Sequence, residues 1–275
     1  GSEMFIRDRS ISDKDADNYK SLLMQSKKIY NLAFETLAHK PFNNFFTMLS
    51  YLPSLLRFKS YKSVYSFTSK YLESEKLRRA FSIQPLLVGG NPFETTCIYS
   101  LIHYLERAHG VYFSMGGTGN LVKALSKLME EENIKITLNT SINKFNIFNN
   151  TITSIEDSKG KDRKADVFIS NTDPIYLYKN LIKQEDIILK YKKKLVRHSM
   201  GLFVLFFGTK KKFDLVQHHT ILFGEQYYEL LLKIFKYYEL PKDISIYLHR
   251  PTATDPSFAP KNCDSFYALV PVPNL

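Results

Sequence analysis

The hydrophobic period of this chain changes once, at Asn133, and that change limits what it can fold into. Before it, apolar residues recur at helical spacing; after it they alternate or run together as in strands. Such an order gives an α+β chain, a helical part followed by a sheet. From Asp13 the positions Tyr19, Leu22, Leu23, Ile29, Tyr30 and Leu32 predict a long helix capped by Asp13 or Asp15. Pro41 opens a second helical stretch reaching Leu72. Between Lys40 and Leu72, Lys40, Arg57, Lys59, Lys62 and Lys70 stand among phenylalanines, tyrosines and leucines, with no acidic residue. Gly89-Gly90-Asn91-Pro92 breaks the pattern, and the next helix starts near Glu94 and stops at Gly110. A further helix runs from about Asn120 to Glu132.

Beyond Asn133, residues 134–141 read as a short strand, followed by a hairpin turning at Asn149-Asn150. "ADVFISN" (165–171) reads as a buried strand ending where Asn171-Thr172-Asp173-Pro174 begins a helix. Residues 184–197 read as a basic surface helix. Strands follow at "SMGLFVLFFG" (199–208), "HHTILFG" (218–224), "ISIYLHR" (244–250) and "SFYALVPV" (265–272), with a helix over 225–238.

Composition sets the outer limits. A 275-residue chain that is 44% hydrophobic can bury a real core and is not disordered. Its longest apolar run, Leu202–Phe207, is far short of the roughly 20 residues a spanning helix needs. Cys97 and Cys263 form no metal-ligand pair and fit a reduced, cytoplasmic protein. The net charge of +11 suits nucleic acid, an anionic membrane surface or an acidic partner, or reflects a Lys- and Asn-rich bias. The basic and aromatic mixture over residues 40–72 suits a lipid interface, the alternative being a core helix with a solvated basic face. Strands 201–208 and 218–224 carry no lysine or arginine, which argues against single-stranded nucleic acid as a partner.

The glycines at 116, 117 and 119 invite a test as a dinucleotide loop. The fingerprint demands glycine or alanine at position 122, which is Val122, and no phosphate loop ending in Gly-Lys-Ser/Thr exists. The stretch reads instead as a tight turn that starts a helix. His218 and His219, adjacent on a strand, should face opposite ways, so no metal site is expected. His249 reads as structural or substrate-facing. No serine elbow or cysteine-histidine pair suggests covalent catalysis, and no catalytic residue is assigned. Glu75 with Arg78 or Arg79 has surface ion-pair spacing.

"LLVGGNPF" (86–93), "SLIHYLERAHGVYF" (100–113), "GGTGNLV" (116–122), "HHTILFG" (218–224), "YLHRPTATDPSFAP" (247–260) and "YALVPVPNL" (267–275) together resemble the bacterial phytoene desaturases. The resemblance runs in order over essentially the whole chain. It implies an FAD-linked, amine-oxidase-like fold: a mixed sheet, a helical membrane-facing subdomain, and a dinucleotide core built from both ends of a longer chain. It divides this chain into a helical substrate and membrane-binding part (1–132), strands on the FAD side (133–172) and a substrate-domain sheet with helices (173–275). The early glycine fingerprint and the C-terminal flavin segment of the family are missing here. The expectation is therefore an internal piece that alone neither holds FAD tightly nor turns over.

The implied activity is FAD-dependent desaturation of phytoene or a related C30–C40 polyene in carotenoid biosynthesis. The alternatives are a carotenoid isomerase or oxygenase of the same fold, or a nucleic-acid-binding module. By resemblance, Ile142 within Ser141-Ile142-Asn143 approaches the adenine half of FAD, and Asn171 and Thr172 approach the flavin nucleotide. The alternative for Asn171 is a helix N-cap. Phe113, Phe206, Tyr247 and His249 are the candidate substrate channel, the alternative being plain packing. The partners implied are an apolar polyene and a membrane surface, with peripheral attachment on the cytoplasmic side; the oligomeric state is left open.

Overall fold

The computed structural model describes residues 13–40, 45–182 and 198–274, without the side chains of residues 47 and 48. The helix start at Pro41 and the basic helix over 184–197 lie outside the described residues. In chain order the helical elements begin with α1 (Asp13–Tyr30, continued by π-helical turns over Asn31–Leu37), α2 (Phe45–Arg57), α3 (Val64–Ser69) and α4 (Glu75–Ser82). Then come α5 (Gln84–Leu87), a 3-10 turn at Cys97–Ser100, α6 (Leu101–His109) and α7 (Thr118–Glu131). Strands β1 (Ile142–Phe148), β2 (Thr151–Asp157) and β3 (Asp162–Arg163) precede a short helix α8 (Pro174–Tyr176). The last elements are β4 (Gly201–Thr209), β5 (His219–Leu222), α9 (Tyr227–Leu232), β6 (Ile246–His249) and β7 (Asp264–Val272). The chain divides into two units, Gly1–Gly117 with Ser199–Leu275, and Thr118–His198.

In the first unit α1 lies along α6, and its stripe Tyr19 and Leu22 is buried with Leu72, Leu77 and Phe81. Asp15 is fully buried. Its two carboxylate oxygens accept the N–H groups of Glu73 and Ser74 at 2.7 Å each, so it caps the start of α4 from across the fold. Gly110, at φ 81°, stops α6 as expected. A second core gathers Tyr227, Leu230 and Leu231 of α9 with Ile234 against Leu86, Phe93, Met200 and Phe223.

His103 on α6 sits in the first core, its Nε2 2.9 Å from the Tyr19 hydroxyl and its ring edge-on to Phe81. Burial first, and the charge of Arg107 second, push it down to about 4. The unfolded chain therefore binds a proton near pH 6.5 that the folded one refuses until about 4. Stability is full above pH 6.5 and falls as the pH drops towards 4, by up to about 3 kcal/mol. A urea titration at pH 7.5, 5.5 and 4.5 checks this: His103→Gln should flatten the slope, and an unchanged slope sinks the assignment.

The strands of this unit form one sheet in the order β4-β7-β6-β5, antiparallel throughout. β4 is an edge strand, and Leu202, Phe203, Leu205 and Phe206 are at least half exposed. The second unit has its own antiparallel sheet, β1-β2-β3. The α+β class holds, but two antiparallel sheets stand in place of one mixed sheet, because short hairpins and returning connections join neighbouring strands. Asn149 and Asn150, at φ 47° and 60°, make the predicted turn with the left-handed pair that a two-residue hairpin needs.

Two strand expectations in this unit fail. Residues 134–141 and 165–171 pair with no described strand, and Val167 and Ile169 are 73% and 94% exposed. A continuous apolar run becomes a buried strand only where a ladder partner and cover on both faces exist, and the described residues supply neither. α7 likewise buries no residue, leaving Leu121, Leu125 and Leu128 exposed.

Candidate functional site

Strand register assembles the site. In the ladder His219 stands opposite His249, and His249 opposite Tyr267, which puts the three rings on one face. His218 lies just before β5, where the strand geometry is not yet set, and its Nδ1 is 2.5 Å from the Thr254 hydroxyl. That bond turns its ring towards its neighbours: the ring centres are 4.5 Å from His219 and 4.6 Å from His249. Strict alternation predicts divergence of His218 and His219, and the structure corrects it. One nitrogen from each of His218, His219 and His249 lies within 4.8 Å of the others, so the triad has the ligand set of a cation site. The Tyr247 hydroxyl is 2.6 Å from His219 Nδ1 and 3.2 Å from His249 Nδ1.

Aromatic rings close around the triad. Phe113 meets His218 edge-on at 4.6 Å, Tyr267 stacks on His249 at 4.4 Å, and Phe206 reaches Tyr267 at 5.6 Å. Phe113, Phe206, Tyr247 and His249 thus belong to one connected cluster, although Phe206 is 74% exposed at the sheet edge. Phe258 joins through Phe113, ring centres 5.9 Å apart; sequence reasoning missed it and Tyr267, and set His218 and His219 aside. Only the cross-strand register could have found Tyr267 and His219. Burial lowers the affinity of all three histidines for a proton, His249 down to about 4 with help from its two histidine neighbours. The cluster is therefore uncharged at neutral pH, and Tyr247 keeps its proton because burial raises its pKa and suppresses the phenolate.

A buried ion pair holds the strand ends that carry it. Arg250 Nη1 donates to Asp264 Oδ2 (3.1 Å) and to Phe213 O (2.8 Å). Asp264 also accepts from the Thr252 hydroxyl (2.6 Å) and the Phe213 N–H (2.7 Å). These bonds outweigh its burial and hold its carboxyl below the usual range.

The glycine turn serves the same wall. Gly116 and Gly117 have φ of 77° and 78°, and the Gly116 N–H donates to Asp255 Oδ2 at 2.7 Å. A Cβ on Gly117 would come within 2.9 Å of the Phe258 ring. Strain and contact together should make Gly117→Ala cost about 1–3 kcal/mol. A thermal melt reads that loss, and a variant as stable as the parent removes the turn from the site's support.

Ile142, Asn171 and Thr172 lie in the other unit. Ile142 begins β1, half-buried opposite Asp157. Asn171 and Thr172 are exposed, and the helix N-cap is Asp173, whose Oδ1 accepts from Tyr176 N at 2.9 Å. Asn171 is therefore not the cap. No described hydrogen bond joins Ile142 to Asn171 or Thr172. Glu75 and Arg79 pair at 3.0 Å as expected, and Arg79 also donates to the carbonyls of Gly224 and Glu225.

The family described as "Flavin containing amine oxidoreductase" matches residues 9–247. The chain belongs to the flavin-containing amine oxidoreductases. Among curated members it is similar to a lycopene-forming phytoene desaturase of Pantoea ananas, 39% identical over 97% of this chain and 55% of the relative. It is also similar to that of Pseudescherichia vulneris, 40% identical over 100% of this chain and 56% of the relative. A neurosporene-forming phytoene desaturase of Rhodobacter capsulatus is 36% identical over 96% and 52%. The chain thus spans about half the length of these relatives. A solved oxidoreductase of Methanosarcina mazei shares the fold, with a TM-score of 0.59 at 16% identity over 85% of this chain and 53% of the other.

Family membership makes FAD the group to test against the residues present. The Gly116-Gly117 turn does not fit its phosphates, because the Asp255 carboxylate already occupies the Gly116 N–H. The exposed run Ser170-Asn171-Thr172 carries hydroxyl and amide groups at the end of an extended segment, and its Thr172 N–H donates to Ser170 Oγ at 3.3 Å.

Proposed function

We propose that this chain is the substrate-handling part of an FAD-dependent desaturase acting on phytoene or a related C30–C40 polyene in carotenoid biosynthesis. The observation that carries it is identity of 39–40% over essentially the whole chain to relatives named phytoene desaturase. FAD, bound with help from Ile142, Asn171 and Thr172, supplies the acceptor for a hydride.

The chain's own residues handle the rest. Phytoene has no polar handle, so it is held by apolar walls, and Phe113, Phe206, Tyr247 and Tyr267 supply them. When an allylic C–H leaves with its electron pair, positive charge develops on the polyene. Ring faces stabilise that charge, and uncharged histidines do not repel it. His249 then takes the proton from the neighbouring carbon as the new C=C forms. A base held down to about 4 suffices, because a C–H beside a carbocation is strongly acidic.

Access for such a substrate is through a membrane surface. No helix among the described residues is long and apolar enough to cross a membrane. Along α2, however, Phe45, Leu49, Leu52 and Leu56 fall on one stripe and are exposed. The reading is peripheral attachment on the cytoplasmic side.

The test expresses the whole reading frame that encodes this chain in cells making phytoene and identifies the products. Longer-conjugated hydrocarbons are expected. Unchanged phytoene sinks the proposal, and products that are only isomerised or oxygenated replace it with an isomerase or oxygenase.

A further inference from the structure

The loop after α2 is built more firmly than a surface turn requires. It runs from Phe58 to Lys62, with Lys59 in left-handed backbone at φ 54°, a conformation that persists only where the surroundings enforce it. The segment around Cys97 does so. Thr96 Oγ1 donates to Ser60 O at 2.5 Å and the Cys97 N–H to Lys62 O at 2.8 Å. The buried Cys97 thiol faces the carbonyls of Phe58 (3.7 Å) and Lys59 (3.5 Å). This loop, α1 and α3 line a pocket of about 110 Å³ whose wall contains Arg57, Lys59, Lys62 and Lys70 and no acidic residue. No ion pair among the described residues involves Arg57, Lys59 or Lys62.

The pocket adjoins the exposed α2 stripe, since Arg57 is the last residue of that helix. An apolar phase that takes up Phe45, Leu49, Leu52 and Leu56 brings the four cations to its boundary. We infer that this pocket binds the phosphate of an anionic lipid headgroup while the α2 stripe enters the acyl boundary. The inference rests on the membrane-associated reading above. The Arg57 guanidinium can grip two phosphate oxygens, and the lysines add point charges. A soluble phosphate would have no use for the apolar stripe beside it, which decides for a lipid.

The test sediments the protein of the whole reading frame with vesicles of phosphatidylcholine, alone or mixed with phosphatidylglycerol. Phosphatidylglycerol should tighten binding. The double variant Lys59→Asn with Lys62→Gln should weaken binding to the mixed vesicles about twenty-five-fold, roughly fivefold for each charge removed. Asparagine at 59 tolerates the left-handed backbone, and an unchanged urea midpoint confirms that the variant folds. Lys123→Gln with Lys210→Gln removes the same charge at exposed sites elsewhere and should cost less than twofold. Equal losses from the two doubles, or equal binding to both vesicles, overturn the pocket while leaving membrane attachment intact. Glycerol phosphate that binds as tightly as the vesicles and displaces them overturns the lipid assignment. Sedimentation with neither vesicle sinks the attachment and the pocket together, whereas the desaturase reading stands or falls on its products.

Discussion

Replacing Asp264 with alanine should destabilise the protein by about 3–5 kcal/mol, because it leaves Arg250 buried with no adequate partner. Asp264 is 2% exposed and carries four interactions at the first residue of β7: Arg250, Thr252 and the Phe213 N–H directly, and through Arg250 the Phe213 carbonyl. The alternative partner for Arg250 is Asp214, 3.9 Å away and 87% exposed, too distant and too solvated to compensate. Asp264→Asn keeps the shape and part of the hydrogen bonding, so it should lose less than the alanine variant. Denaturant unfolding followed by circular dichroism reads both. An alanine variant within about 0.5 kcal/mol of the parent would show that the pair is not what holds the 250–258 loop.

The second large effect is on turnover. His249→Ala, made in the protein of the whole reading frame, should lower the rate of polyene desaturation by about 10²–10⁴-fold, the usual worth of a positioned base. The loss should fall on kcat, because the apolar walls that bind the substrate remain. His249→Asn keeps a polar group of similar size without the base and should be as slow as the alanine variant. The pH profile separates this role from a structural one. With His249 held down to about 4, the imidazole is uncharged and active above that value, so the rate should be level from pH 8 to 5 and fall as pH drops through about 4. Full activity in either variant removes His249 from the reaction.

Much of the architecture is legible in the sequence because it is locally encoded. The helix ending at Gly110, the Asn149-Asn150 turn and the strands at 201–209, 219–222, 246–249 and 264–272 follow from residue type and period alone. The failures share one cause. Residues 165–171 have the composition of a buried strand, but composition cannot provide the neighbouring strand that a ladder needs. That Asp15 caps α4 could not be read from its position, because hydrogen bonds between segments 58 and 59 residues apart are not a local property.

The site divides along the same line. Phe113, Phe206, Tyr247 and His249 could be singled out from their motifs, yet their joining into one ring cluster depended on strand register. A shift of one residue in β5 against β6 would turn His219 away from His249. His218 joined them through Thr254, a contact made only once the 251–254 turn folds back. By itself the sequence determined the α+β class, the turn at Gly116-Gly117 and the basic, aromatic character of residues 40–72. Only the tertiary structure decided that three histidines converge, that Asp255 fills the glycine turn, and that four cations of the basic segment share one pocket. Period and propensity act within a few residues, whereas register, ion pairing and enclosure exist only after distant segments have packed.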